Sequence, residues 1–398
     1  MMRKVCFAVL LILLVHTICA AQERPTAGGV FYWFPDGTYK TLAYADLGTL
    51  RASNSYSYYS RMYSDTGEYL TRSWNPLPDE AKQQLTKIAF GHLVVYKDNL
   101  TPLDTLENEA QLALLEDKEE QLSVDDSGRL AVRDSVDAGA MFWVFGFEDT
   151  VNIVREGLKA GWLTRPGLRM TSRPVFRLCG SGGNESKSFY AYATTSNELL
   201  VANEFLTLTR MIRTGHSADP GLLDNPDYAL LFHIIPELGQ SWSIAPKTLH
   251  DQAVLEQLNR AGGPEKNIKN LEARIESGPL FEIASNEFAE DSTTETTIRI
   301  YGSDESAAAD ASRLKAEMDE ERWGFLSNLN EARTLSGSEE SEQRRKLIRR
   351  AAERLSGLTE SFKTSVEGNV VRTVFTINKR ELGALRYLTD IVIGRTWK

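Results

Sequence analysis

Cysteine is nearly missing from this chain of 398 residues. Of its three cysteines, Cys6 and Cys19 stand among the first 21 residues, and only Cys179 lies beyond them. A single thiol cannot close an internal disulfide, so a chain trimmed after residue 21 holds its fold by burial alone. Its length permits that, because long chains bury most of the surface their unfolded form exposes. Long apolar runs are scarce as well. Past residue 21 the longest candidate is YALLFHIIP at 228–236, which contains His233 and falls well short of the ~20 residues that span a bilayer as a helix. An excess of basic residues is also lacking. The 45 Lys and Arg stand against 55 Asp and Glu, a formal net charge of −10, which argues against nucleic acid or anionic lipid as a partner.

Local catalytic and cofactor motifs are absent too. The glycine-rich stretch LCGSGGNESKS at 178–188 is not a phosphate loop. Ser186 precedes Lys187 where glycine is needed, Ser181 fills the other glycine position, and a strand-like SFYAYAT follows where a helix should begin. It is not a nucleophile elbow either, since Ser181 has no glycine two residues before it. The stretch reads as a bend between two strands. The histidines His92, His216, His233 and His250 form no zinc-ligand spacing. His92 and His233 read as core histidines in apolar strands, and His216 as a loop residue within reach of Asp219. Ser312 and Lys315 match S-x-x-K but lie mid-helix without companion motifs. The basic run QRRKLIRR at 343–350 reads as the wet face of a helix. Neither a cofactor nor a metal is expected. Asn99-Leu100-Thr101 and Asn184-Glu185-Ser186 are glycosylation sequons, relevant only in a eukaryotic secretory host.

What is present begins at the amino terminus. MMRKVCFAVLLILLVHTICAAQ joins a short basic start, an apolar run and small residues before Gln22. That is the pattern of a secretory signal peptide cleaved after Ala21, and it predicts a secreted or periplasmic protein.

The rest reads as short strands in neighbouring pairs with helices inserted in blocks. Pro35-Asp36-Gly37 suggests a hairpin between FYWF and a strand over 41–47. Strands are expected at 87–98, 138–147, 173–178, 188–194, 198–203 and 228–235. The acid-rich segment 104–126 reads as an exposed amphipathic helix, without the loop spacing that wraps calcium. Gly262-Gly263-Pro264 marks the sharpest boundary, followed by a helix over 264–277. Ala307, Ala311, Leu314, Met318, Phe325 and Leu329 line one face of a long helix. In the next helix Leu347, Ala351, Leu355 and Leu358 point inward. A hairpin turning at Gly368-Asn369 and a closing helix over 379–392 end the chain.

The expected architecture is α+β, with antiparallel sheets and helices packed on one face. The signal peptide spans 1–21, an N-terminal α+β domain 22–262, and a C-terminal α+β domain with two long helices 263–398. The runs strand, loop, strand, helix at PVFRL…SFYAYA and at PLFEI…TTIRIYG raise the expectation of two related halves. The block Pro174–Pro236, with its sequence PVFRL, SFYAYATTSNELLVAN and LLDNPDYALLFHIIP, resembles uncharacterised exported bacterial families known only as domains of unknown function. That resemblance implies export and carries over no catalytic position.

The chemistry-bearing residues that stand out are aromatic. Tyr32 and Trp33 in FYWF, with Tyr58 and Tyr59 in a tyrosine cluster, suit a wet interface with a protein or a glycan, because their rings are apolar and their edges polar. The first functional reading is a non-enzymatic exported binding or envelope-associated module. The alternative is an exported hydrolase whose catalytic residues converge from distant segments.

Overall fold

A computed structural model describes residues 28–53, 75–96, 100–102, 122–124, 130–133, 140–170, 172–179, 189–235, 238–260, 264–334, 342–355 and 357–384. The expected signal peptide, Tyr58 and Tyr59, the glycine stretch from 180 to 188, both sequons' asparagines and the acid-rich segment up to 121 lie outside these residues.

The described chain is α+β and dominated by one antiparallel sheet. In order it contains α1 (Gly28–Phe31), β1 (Gly37–Asp46), α2 (Leu47–Ala52), α3 (Asp79–Lys82), β2 (Leu85–Tyr96), β3 (Leu100–Pro102), β4 (Leu122–Val124), β5 (Leu130–Arg133) and β6 (Ala140–Phe147). Then come α4 (Thr150–Ala160), β7 (Leu163–Thr164), β8 (Arg169–Met170), β9 (Arg173–Leu178), β10 (Phe189–Ala193), β11 (Glu198–Ala202), α5 (Phe205–Gly215) and α6 (Ala229–Ile234). β12 (Ser241–Ala245), α7 (Lys247–Arg260), α8 (Glu265–Ser277), β13 (Phe281–Phe288), β14 (Ser292–Ile300), α9 (Asp304–Thr334), α10 (Glu342–Leu355), β15 (Lys363–Glu367) and β16 (Val370–Asn378) follow. Thirteen strands form one sheet, with the order β15-β16-β14-β13-β12-β1-β2-β6-β11-β10-β9-β7 and β8 paired to β9. The sheet runs without a break across position 262, because β12 pairs with β13. β3, β5 and β4 form a separate small sheet.

Burial explains why these segments become strands. β6 has no polar face: Phe142 and Val144 join one core, while Trp143, Phe145 and Phe147 join another on the opposite side. β11 splits the same way, with Leu200 and Ala202 on one side and Leu199 and Val201 on the other. A strand buried on both faces reads as an unbroken apolar run rather than an alternation. The first core is closed by the aromatic segment after α1, by α5 and by α6. The second is closed by α2, α3 and α4. The helices therefore cover both faces of the sheet, not one as the sequence suggested. The all-apolar β6 already required a second covering layer.

Local signals set several element boundaries. Asp149 caps α4 by accepting from the Asn152 N–H at 2.9 Å, and Gly161 closes it at φ 83. β10 and β11 are joined by a tight turn with Asn197 at φ 59. β9 and β10 pair antiparallel from Leu178 opposite Phe189, so the glycine stretch connects a strand to its neighbour.

Four expectations are corrected. YALLFHII is helical: a 3-10 turn over Pro226–Tyr228 leads into α6. Asn225 accepts from the Asp227 N–H at 2.9 Å with proline at the first position, a helix start that outweighs the apolar run. Tyr228, Leu231 and Ile235 are buried at helical spacing. FYWF is not a hairpin arm. Phe31 ends α1, and β1 pairs with β2 and β12 instead. Leu122–Val124, taken as the end of the acidic helix, is β4. In α10 the inward residues are Ile348, Ala351, Ala352 and Leu355, while Leu347 is 49 % exposed.

Trp143 is 2 % exposed and touches the rings of Phe90, Phe145 and Phe189. Its replacement by alanine removes a large buried side chain and leaves a cavity. Trp143→Ala is expected to lower the unfolding free energy by about 3–5 kcal/mol in urea titration. Val151→Ala, at a 73 % exposed position on α4, is expected to stay within about 0.5 kcal/mol. Equal effects at the two sites would contradict the burial described.

Candidate functional site

One end of the sheet gathers the aromatic residues around a buried carboxylate. Glu198 opens β11 and is 5 % exposed. Its Oε2 accepts from Trp33 Nε1 at 2.7 Å and from Ser196 Oγ at 2.9 Å, and its Oε1 accepts from Lys87 Nζ at 2.8 Å. Lys87 on β2 and Glu198 on β11 both stand opposite Gly146 of β6. Gly146 is what lets the two meet. A Cβ there would stand 2.3 Å from Lys87 Cγ, so only glycine leaves room for the lysine chain to cross the intervening strand. The buried charge is therefore paired and hydrogen-bonded, as a carboxylate withdrawn from water requires.

Trp33 carries the cluster to the surface. Its ring lies on Gly215, the last residue of α5, where a Cβ would come within 1.9 Å of Trp33 Cε3. Tyr32 and His216 both meet the indole edge to face, with centroids at 5.6 Å and 6.2 Å. Such pairs add about 0.5–1.5 kcal/mol beyond burial. Trp33 is buried, whereas Tyr32 is 43 % exposed. His216 is exposed as well. Tyr32 Oη lies 3.3 Å from Ser217 Oγ.

The loop under these rings is fixed by the way α5 ends. The Ala218 N–H donates to Arg213 O at 2.9 Å and the Ser217 N–H to Thr214 O at 2.8 Å, with Ser217 at φ 56. That is a Schellman ending with serine in the left-handed position where glycine is usual. Arg213 grips Asp219 with two bonds of 2.6 Å, Nε to Oδ2 and Nη2 to Oδ1. Asp219, expected within reach of His216, is thus engaged by Arg213. The exposed rings stand on a tied loop and a tied indole.

A second polar group sits over the middle of the sheet, where α7 packs on β1, β2 and β13. Asp251 is 4 % exposed. It lies 3.2 Å from His250 Nδ1 and receives Arg274 of α8 at 2.7 Å. His92 on β2 is close enough to feel His250 and Lys40. Burial first, then Lys40 and His250 as basic neighbours, hold its pKa below the ordinary histidine value of 6.5. No hydroxyl is hydrogen-bonded to His92, His216 or His250 among the described residues, so this histidine–carboxylate pair has no nucleophile beside it. No group of three His, Cys, Asp or Glu side chains is placed to hold a metal ion among the described residues. His233 lies on α6, not on a strand. Ser312 spends its hydroxyl on Ala308 O at 2.9 Å, and Cys179 is a free, exposed thiol.

A cavity of about 180 Å³ lies between Ile234 and the strands β14, β16 and β15, lined by Ile298, Ser365, Glu367, Val370 and Arg372. It is smaller than the pockets that enclose drug-sized ligands. Among the described residues no helix is long and apolar enough to cross a membrane.

Of the residues singled out in the sequence, Tyr32 and Trp33 are brought together with Glu198, Lys87 and His216. Glu198 and Lys87 escaped sequence reasoning because they are 111 positions apart and meet only through strand register. The glycine one residue before the end of the apolar β6 was the one available hint.

No family model matches the chain, and no curated protein sequence is similar to it. Among solved structures, crystal form I of TP0453 aligns over 90 % of this chain and 97 % of its own at 10 % identity and a TM-score of 0.35. Crystal form III of TP0453 aligns over the same shares at 7 % identity and a TM-score of 0.37. Both likenesses are too remote to assign an activity.

The lowered pKa of His92 has a consequence for stability. The folded chain keeps His92 neutral where the unfolded chain takes a proton, so the unfolded state binds more protons below the unfolded value. Stability is expected to fall as pH drops below about 6.5 toward the folded value. Between about pH 7.5 and about pH 5.5, His92→Gln is expected to lose less unfolding free energy than the unaltered chain. Identical losses would contradict the environment described for His92.

Proposed function

We propose that this chain is an exported, envelope-associated binding protein without catalytic activity, and that it meets a protein or glycan partner through Tyr32. The observation that carries this reading is the mounting of Tyr32. Its ring is half in water, set edge-on against a buried Trp33 whose N–H is bonded to the buried Glu198. An aromatic held in place from below loses little conformational freedom when a partner covers it, which favours binding. Sugars stack on such rings, and peptide partners use the same combination of apolar face and polar edge.

Export rests on the amino-terminal pattern ending at Ala21, and on the single cysteine beyond it, which frees the fold from disulfide formation. The hydrolase alternative rests on His250 and Asp251 at 3.2 Å. Among the described residues no hydroxyl is hydrogen-bonded to His250, and Arg274 already occupies Asp251.

The test is binding of the secreted chain to glycan and peptide arrays, alongside Tyr32→Ala. The unaltered chain is expected to mark a restricted set of ligands, and Tyr32→Ala to lose about tenfold or more in affinity with an unchanged circular dichroism spectrum. Equal binding by both chains, or turnover by the unaltered chain across a broad hydrolase panel, would overturn the reading.

A further inference from the structure

We propose that β15 is a docking edge for a second copy of this chain, joining two sheets antiparallel about a two-fold axis at Ser365. Among the described residues β15 has one neighbour, β16, and forms one end of the long sheet. Its five residues, KTSVE, contain neither proline nor glycine, and four of the five are exposed. An open edge presents unpaired N–H and C=O groups that another strand can meet.

The register follows from the hairpin. Gly368, at φ 56, and Asn369 form a two-residue turn between Glu367 and Val370. In such a hairpin the flanking pair exchanges hydrogen bonds, and bonded and non-bonded pairs then alternate along the ladder. Glu367, Ser365 and Lys363 therefore turn their backbone groups toward β16. Thr364 and Val366 turn theirs outward. These two positions are symmetric about Ser365. A second β15 laid antiparallel about that residue sets Thr364 against Val366 of the other copy, and every outward group finds its complement.

The same register settles the side chains. Lys363 falls opposite Glu367 of the other copy, and Glu367 opposite its Lys363. Both side chains are exposed and engaged in no ion pair among the described residues. On the other face, Phe362 is 42 % and Val366 is 44 % exposed. Phe362 falls opposite Gly368 of the other copy, which leaves room for the ring, and diagonal to its Val366, within reach for an aromatic side chain. Backbone, charge and apolar complementarity all select one register, and one partner: the strand itself.

The test is the mass of the secreted chain in solution by light scattering and sedimentation, with circular dichroism to confirm folding. The unaltered chain is expected to dimerise as its concentration rises. Lys363→Glu and Glu367→Lys, each placing like charges opposite one another, are expected to weaken the dimer about tenfold. The double variant K363E/E367K restores the opposed pairs and is expected to recover the dimer. An unaltered chain that stays monomeric at about 100 µM, a dimer indifferent to either single reversal, or a double variant no better than the singles would overturn the proposal.

Discussion

The carboxylate of Glu198 is where this protein's organisation converges. An acid removed from water is tolerable only with its lone pairs occupied and its charge met. Here Lys87 reaches it from two strands away, and Trp33 arrives from the amino-terminal segment. The meeting depends on Gly146 keeping a path open across β6. It also depends on the register that sets Lys87 and Glu198 against that glycine. The bond from Trp33 ties the first described segment to the start of β11. Beside it, the FYWF stretch is held by packing over α5, by the Leu222 N–H donating to Phe34 O at 2.8 Å, and by the contact of Tyr32 Oη with Ser217 Oγ.

Much of the fold was legible in the sequence because its strands and helices carry strong local signals. β6 reads as a buried strand from its apolar run alone. α8 is framed by Pro264 and Gly278, and the last hairpin by Gly368-Asn369. What failed were segments where two local signals compete. YALLFHIIP is aromatic and apolar enough for a strand, yet Asn225-Pro226-Asp227 starts a helix there and the buried residues follow its period. Leu347 and Ile348 are adjacent and both apolar, so a shift of about 100° in helix phase decides which is buried. The second helical layer was hidden for a different reason. Which face a helix covers is a tertiary fact, and only the two-sided burial of β6 implied it.

The candidate site was half legible. The aromatic residues announce themselves by type, and Tyr32 and Trp33 lie together where the exposed surface meets the core. Their support does not announce itself. Lys87, Glu198 and Gly215 are ordinary residues in sequence, and their roles arise from strand pairing and the close approach of an indole to a helix end. The histidines show the converse. His92 and His250 are brought near one another with Asp251, an arrangement reminiscent of acid–base chemistry. Arg274 pairs with Asp251, and among the described residues no hydroxyl is hydrogen-bonded to either histidine.

The account stands on the aromatic end of the sheet being a tied platform rather than a loose flap, and the indole proton of Trp33 reports on this directly. In native-state hydrogen exchange followed by NMR, that proton is expected to exchange as slowly as the amides of β6 and β11, and to speed up strongly in Glu198→Gln while those strand amides remain protected. A Trp33 indole proton that exchanges as fast as an exposed loop amide in the unaltered chain would contradict the account.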